Sequence, residues 1–158
     1  MISIDDITVA EGTTANFTAT LTSPAQYDVT FEVSTSDGTT TGGADYTSQT
    51  SQTYTITAGS TTVTIPVVTT DDSTYEPTDE TYTVTLSNVS IGSPTPEAIT
   101  TTDLVGAGVI TDSGDSAPTI SIDDITVAEG TTANFTATLT SPVPVSYTHL
   151  TLPTIYSV

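Results

Sequence analysis

The sequence predicts an all-β protein, an immunoglobulin-like two-sheet antiparallel sandwich of about seven strands built as tandem repeats. Three observations carry this. Apolar residues alternate with period two in short runs, the pattern of strands buried on one face. Those runs are separated by Gly, Asp and Ser turns, and no segment has helical period. Threonine, a β-former, supplies 41 of the 158 residues.

The opening segment changes parity, from Ile2 and Ile4 to Ile7 and Val9, which predicts a bulge or a change of sheet at Asp5-Asp6. Next, Ala15, Phe17, Ala19 and Leu21 face one way while Thr14, Asn16, Thr18 and Thr20 face the other. Tyr27, Val29, Phe31 and Val33 form a further strand, followed by a shorter one at Tyr54 and Ile56. Val63, Ile65 and Val67 make the next, and Pro66 within it predicts an edge or a bulge, because proline has no amide to donate. Tyr82, Val84 and Leu86, then Val105, Ala107 and Val109, complete the set as inward-facing residues of the last two strands.

The chain also repeats itself. Residues 2–24, ISIDDITVAEGTTANFTATLTSP, recur unchanged as residues 120–142. Identity over 23 positions does not arise from shared strand patterning, so the chain reads as part of an array whose period is one ordinary domain. The expected organisation is a complete domain at 1–116 and the first two strands of a second, identical repeat at 117–144, with the short acidic joint 111–118 between them. Two strands do not bury a sufficient core, so the second repeat needs its remaining strands. After Pro144 the repeat is lost abruptly. Val145 to Val158 contains the only histidine, His149, and VSYTHLTLPT resembles the translation of a transposon-based sequencing adapter; this tail is set aside as artefactual. Met1 reads as a fragment boundary, since no signal peptide or membrane span follows it.

Composition excludes whole classes of function. Nineteen Asp and Glu stand against no Lys or Arg, a formal charge of -19. No cationic side chain is available for a phosphate backbone or an anionic membrane surface, so nucleic acid and direct membrane insertion are excluded as partners. With no Cys, no Lys and one His, an enzyme is not expected. A carboxylate-pair glycosidase is disfavoured because the aromatics fall on strand core positions or in the tail, leaving no aromatic-lined cleft.

The carboxylates gather at strand ends: Glu11; Asp37 and Asp45; Asp71, Asp72, Glu76, Asp79 and Glu80; Asp112 and Asp115. In a sandwich these loops converge on one end, where like charges repel unless a cation joins them. Six to eight hard oxygen ligands are what Ca²⁺ takes, whereas Zn²⁺ would want His or Cys. The alternative, acidic turns that serve only solubility, stays open on spacing alone.

A family resemblance narrows the choice. Val9-Ala-Glu11-Gly12, Ser36-Asp-Gly-Thr39, Gly43-Ala-Asp45-Tyr46-Thr47, Ile56-Thr-Ala-Gly59 with Thr62-Val-Thr-Ile65, Asp71-Asp72, Asp79-Glu-Thr-Tyr-Thr-Val-Thr-Leu-Ser-Asn88 and Gly108-Val-Ile-Thr-Asp112 together resemble a Calx-beta domain over residues 2 to about 115. The resemblance implies Ca²⁺ ligands at Glu11, Asp45, Asp71, Asp72, Glu76 and Asp79, with a backbone carbonyl near Thr74. The family's terminal run of three Asp departs here to Asp112-Ser-Gly-Asp115, which implies one or two ions rather than four. A further site at the joint would draw on Asp123, Asp124 and Glu129 beside Asp112 and Asp115.

The expected function is a calcium-rigidified extender, or stalk, module of a secreted or cell-surface bacterial adhesin-like protein, whose partners are calcium ions, neighbouring repeats and, through other modules, a cell-surface or glycan receptor. The alternatives are a regulatory calcium-sensor domain of a membrane-associated protein, as in sodium-calcium exchangers, or a glycan- or protein-binding adhesion module.

Overall fold

Residues 1–72, 74–93 and 99–140 are described by the structure, a computed structural model. The tail from Val145, with His149, lies outside the described residues. The chain divides into two compact units, Met1–Asp115 and Ser116–Val158.

The first unit is a two-sheet sandwich. Its strands are β1 (Ile2–Ile4), β2 (Ile7–Ala10), β3 (Thr14–Leu21), β4 (Val29–Asp37), β5 (Gln52–Ile56), β6 (Thr62–Val68), β7 (Glu80–Ile91), β8 (Thr101–Asp103) and β9 (Val105–Thr111). One sheet has the order β6-β3-β1-β8 and the other β2-β9-β7-β4-β5. Among the described residues nine strands replace the expected seven, because the opening segment divides in two and β8 was not legible as a strand. The sheets are also mixed rather than wholly antiparallel: β1 pairs with β8 in parallel, and β2 with β9 in parallel.

The parity change at Asp5-Asp6 is a change of sheet. Two carboxylates make it, one for each sheet: Asp5 Oδ1 accepts the Thr18 amide at 2.7 Å, and Asp6 Oδ1 accepts the Ala107 amide at 2.7 Å. The crossing chain passes tightly over Gly106, where a Cβ would lie 2.4 Å from the Asp5 carbonyl oxygen. No larger residue fits there.

The core lies between the sheets. Ile2, Ile4, Ala15, Phe17, Ala19, Leu21, Ile65 and Val67 from the first sheet meet Val29, Phe31, Val33, Ile56, Tyr82, Val84, Leu86 and Ile110 from the second. Each large side chain withdrawn from water contributes about 1.5–3 kcal/mol. Phe17 meets Tyr82 edge-on at 6.0 Å, and Tyr82 stacks on Tyr46 at 4.6 Å. Pro66 does lie on an edge strand, β6, opposite Asn16. In β7 a bulge sets Asn88, at φ +51°, beside Glu32, whose Oε2 accepts a hydrogen bond from the Asn88 side-chain Nδ2 at 2.9 Å.

Two expectations about individual strands are corrected. Tyr27 precedes β4 rather than belonging to it. In β9 the inward face is Gly106, Gly108 and Ile110, so Val105, Ala107 and Val109 face outward. The reason is the Tyr82 ring, which occupies the space over Gly108: a Cβ there would sit 2.3 Å from Tyr82 Cζ. Aromatic bulk from β7 fills what β9 leaves empty.

In the second unit, the described residues form a two-stranded ladder, β10 (Ile120–Ile122) with β11 (Ala137–Leu139), rather than a second sandwich. Among the described residues no helix is long and apolar enough to cross a membrane.

Candidate metal centre

The β2–β3 turn begins with Glu11, whose amide extends the β2–β9 pairing by donating to the Thr111 carbonyl at 2.9 Å. Its side chain is buried, 6% exposed, and Oε1 accepts the Ser113 amide at 2.9 Å. Gly12 follows in the left-handed region at φ +69°, and a Cβ there would meet Asp71 Cβ at 2.9 Å. Glycine therefore both makes the turn and admits Asp71 beside Glu11.

Thr69, buried at the end of β6, clamps the two loops together. Its hydroxyl accepts the Thr13 amide at 3.1 Å and donates to the Thr13 carbonyl at 2.9 Å, and its own amide donates to the same carbonyl at 2.8 Å.

Asp112 organises the third contributor. Oδ1 accepts the amides of Gly114 at 2.8 Å and Asp115 at 2.9 Å, and Oδ2 accepts the Glu76 amide at 3.1 Å. These three bonds hold the Asp112 carboxyl below the usual carboxylate range. The turn brings Asp115 back toward the site. One carboxylate oxygen each of Glu11, Asp71 and Asp115 then lie within 4.8 Å of one another.

Two oxygens bound to one Ca²⁺ at 2.3–2.6 Å are at most about 4.6–5.2 Å apart, so this trio matches the width of a single Ca²⁺ shell. The charge is uncompensated: the chain supplies no Lys or Arg. Asp115 Oδ2 is buried and has no hydrogen-bond partner, and burial followed by the charges of Asp112, Asp71 and Asp72 pushes its carboxyl upward. A buried oxygen left in that condition is costly unless a cation completes it.

A second group of carboxylates adjoins the first. Glu76 is pushed upward by burial and by Asp72, Glu11, Asp45 and Asp112. Glu80 is pushed up to about 7 by burial and then by Asp45, Glu76, Asp72 and Glu11. Asp45 is held by its own loop, its carboxylate accepting the Thr41 amide and its carbonyl accepting the Thr70 amide at 2.8 Å. Asp72 Oδ1 accepts the Thr74 amide at 2.8 Å. Asp79 stands exposed, and the charges acting on Glu76 and Glu80 come from the other carboxylates.

Asp37 serves the loop rather than the cluster: Oδ1 accepts the Tyr46 hydroxyl at 2.6 Å and the Gly42 amide at 2.9 Å. Asp123, Asp124 and Glu129 are exposed residues of the second unit, and Asp123 Oδ1 accepts the Thr136 amide at 2.7 Å.

Glu80, counted in the sequence among the strand-end carboxylates, was left out of the expected ligands, and the structure sets it among their charges. Its signal was present, since alternation puts Glu80 on the same face as Tyr82, Val84 and Leu86, with Asp79 opposed to it.

Residues 2–114 match the Calx-beta domain model. Among solved structures, the calcium binding domain CBD12 of CALX1.1 aligns at a TM-score of 0.64 and 20% identity, covering 78% of this chain and 50% of that one. CBD12 from CALX1.2 aligns at 0.60 and 19%, covering 70% and 44%, and the Calx CBD2 domain at 0.60 and 14%, covering 71% and 86%. The chain thus spans about half the length of the two CBD12 structures, and at these identities the likeness is one of fold. No curated protein sequence matches.

These findings overturn the expected extracellular location on a bacterial surface. The structures named above are a calcium binding domain of CALX1.1, CBD12 from CALX1.2 and the Calx CBD2 domain, and none of the three is described as an adhesin repeat. An acidic surface and a duplicated segment are properties of the polypeptide and carry no compartment with them. The match over most of the chain makes the conclusion plain: this protein belongs to the Calx-beta domain family, whose members are non-catalytic modules.

Proposed function

We propose that the first unit is a regulatory Ca²⁺-binding module, an ion tying the β2–β3 turn to the β6–β7 connection and to the segment after β9. The observation that carries this reading is the Glu11, Asp71 and Asp115 trio with its orphaned, buried Asp115 oxygen. Glu76, Glu80, Asp45 and Asp72 stand ready to complete the shell or to hold a second ion, and Asp112 positions Asp115 through the backbone. The solved CBD12 of CALX1.1 is itself described as a calcium binding domain, which favours the same ligand here.

Binding converts mutual repulsion into attraction, so it draws three loops together and stiffens one end of the sandwich. In a sensor, that end is where a bound ion is communicated to a neighbour. The duplication of residues 2–24 supports a second reading, a spacer module in an array, in which the ion only stiffens.

Thermal unfolding of the full chain in chelator and in excess Ca²⁺ tests the metal. A ligand of the folded state at 100 times its Kd stabilises by about 2.7 kcal/mol. An unchanged melting temperature in Ca²⁺ would reduce the acidic end to a solubility feature. Amide exchange separates the two readings: a sensor slows exchange in strands beyond the three loops, a spacer only in the loops.

A further inference from the structure

On the reading of the acidic end as a Ca²⁺ site, we propose that Tyr46 and Asp37 are its positioning residues: the bond from the Tyr46 hydroxyl to the Asp37 carboxylate, outside the ion's shell, holds Asp45 in place. Asp45 lies in no strand. It belongs to the β4–β5 connection, residues 38–51, and a carboxylate on a long loop serves a cation well only where the loop is fixed beforehand. The residue that fixes it comes next in the chain. Tyr46 is 1% exposed, its ring stacks on Tyr82 at 4.6 Å with the planes 17° apart, and Tyr82 in turn meets Phe17.

The far end of the ring is held by Asp37, the last residue of β4. One oxygen, Oδ1, accepts both the Tyr46 hydroxyl at 2.6 Å and the Gly42 amide at 2.9 Å. A Cβ on Gly42 would meet that same oxygen at 2.9 Å, so glycine lets the loop close upon it. The backbone then folds around the anchored ring. The Gly43 amide donates to the Tyr46 carbonyl at 2.8 Å, the Asp45 amide to the Thr41 carbonyl at 3.0 Å, and the Thr70 amide to the Asp45 carbonyl at 2.8 Å.

The stack also ties two carboxylates together. Asp45 precedes Tyr46, and Glu80 stands two residues before Tyr82 on the same face of β7, so contact between the rings joins the Asp45 loop to the strand that carries Glu80. Of the charges that raise the Glu80 carboxyl, that of Asp45 comes first. Asp37 is not among the main charges acting on Glu76 or Glu80, so its hold on the site runs through Tyr46 rather than through space. The Tyr82 hydroxyl takes no part, being buried without a hydrogen-bond partner.

Calorimetric titration of the full chain with Ca²⁺ tests this. Tyr46→Phe keeps the stack and removes the bond; Asp37→Ala, at an exposed position, removes the same bond without touching the core. Each is expected to weaken Ca²⁺ binding about tenfold or more, as loss of a ligand's outer support does. Asp37→Asn, whose carbonyl oxygen still accepts both donors but carries no charge, is expected to restore most of the affinity, and Tyr82→Phe to leave it unchanged. The proposal is overturned by full affinity in Tyr46→Phe, by equal losses in Asp37→Asn and Asp37→Ala, which would make Asp37 a matter of charge, or by a loss in Tyr82→Phe equal to that in Tyr46→Phe. No uptake by the unaltered chain would overturn the Ca²⁺ reading as well; uptake that Glu11→Gln abolishes and Tyr46→Phe does not affect would overturn the positioning role alone.

Discussion

Residues 2–22 and 120–140 have one sequence and two structures. In both, the first three residues pair antiparallel with the end of the segment, in the same register and with the same Asp-to-Thr bond. In the first unit Ile7–Ala10 form a strand, because the partner of β2 is β9; the corresponding residues 125–128 have no such partner among the described residues and form no strand. Likewise β3 runs for eight residues where β6 lies alongside, and β11 for three. Local pairing is written in the segment, and the rest of its structure belongs to its neighbours.

That contrast is open to direct attack. The largest expected effect is at the shared phenylalanine: Phe17→Ala is expected to cost about 3–5 kcal/mol in denaturant unfolding, as buried aromatic truncations do. Phe135→Ala is expected to leave the same transition within about 0.5 kcal/mol. Comparable losses from the two would mean that the second copy is packed after all.

The two glutamates come next. Glu11→Gln is expected to abolish most of the Ca²⁺-dependent rise in melting temperature, worth about 2.7 kcal/mol at 100 times Kd, while Glu129→Gln retains it. Calorimetric titration of both variants checks this, and a loss in Glu129→Gln would locate binding in the second copy as well.

A smaller contrast lies in the turn. Gly12 and Gly130 both adopt positive φ, at +69° and +83°, but only Gly12 has Asp71 against it. Gly130→Ala is expected to cost at most the backbone strain of about 1–2 kcal/mol, and nothing in the first unit's transition. Gly12→Ala adds displacement of Asp71, so it weakens Ca²⁺ binding as well as stability, which titration against Gly130→Ala would resolve.

The smallest effect is on pH dependence, which belongs to the first copy alone because Glu80 has no counterpart in the second. Its carboxyl is raised from 4.5 to about 7 by folding. The folded state therefore holds that proton more tightly; the resulting stability is fully present below about pH 4.5 and is lost as pH rises through about 7. Asp112, with its carboxyl lowered from 3.8, acts oppositely and only at more acidic pH. Ion-free protein is expected to melt lower at pH 8 than at pH 5.5, and Glu80→Gln to flatten the difference. A wild-type profile flat over that range would remove Glu80 from the charged cluster.

Much of the fold was legible in the chain, and the exceptions have a common cause. The inward faces of β3, β4, β6 and β7 follow from alternation of apolar residues, because each buries its own side chains. In β9 the buried positions are Gly106 and Gly108, which an apolar pattern cannot mark, since their contribution is the room they leave for Phe17 and Tyr82. The parallel pairs β1–β8 and β2–β9 were equally hidden: residues about a hundred positions apart leave no periodic trace of each other. At the site, Glu11, Asp71 and Asp115 were chosen from residue type and motif, whereas Glu80 needed its face to be known.

By itself the sequence determined the strand class, the parity change at Asp5-Asp6, the excess of negative charge and the carboxylates at strand ends, because these depend on residue type and short-range order. Only the tertiary structure decided which carboxylates share a volume, and which copy of an identical segment is buried. Those are questions of long-range partners: a charge cluster and a core exist only where distant strands bring their other half.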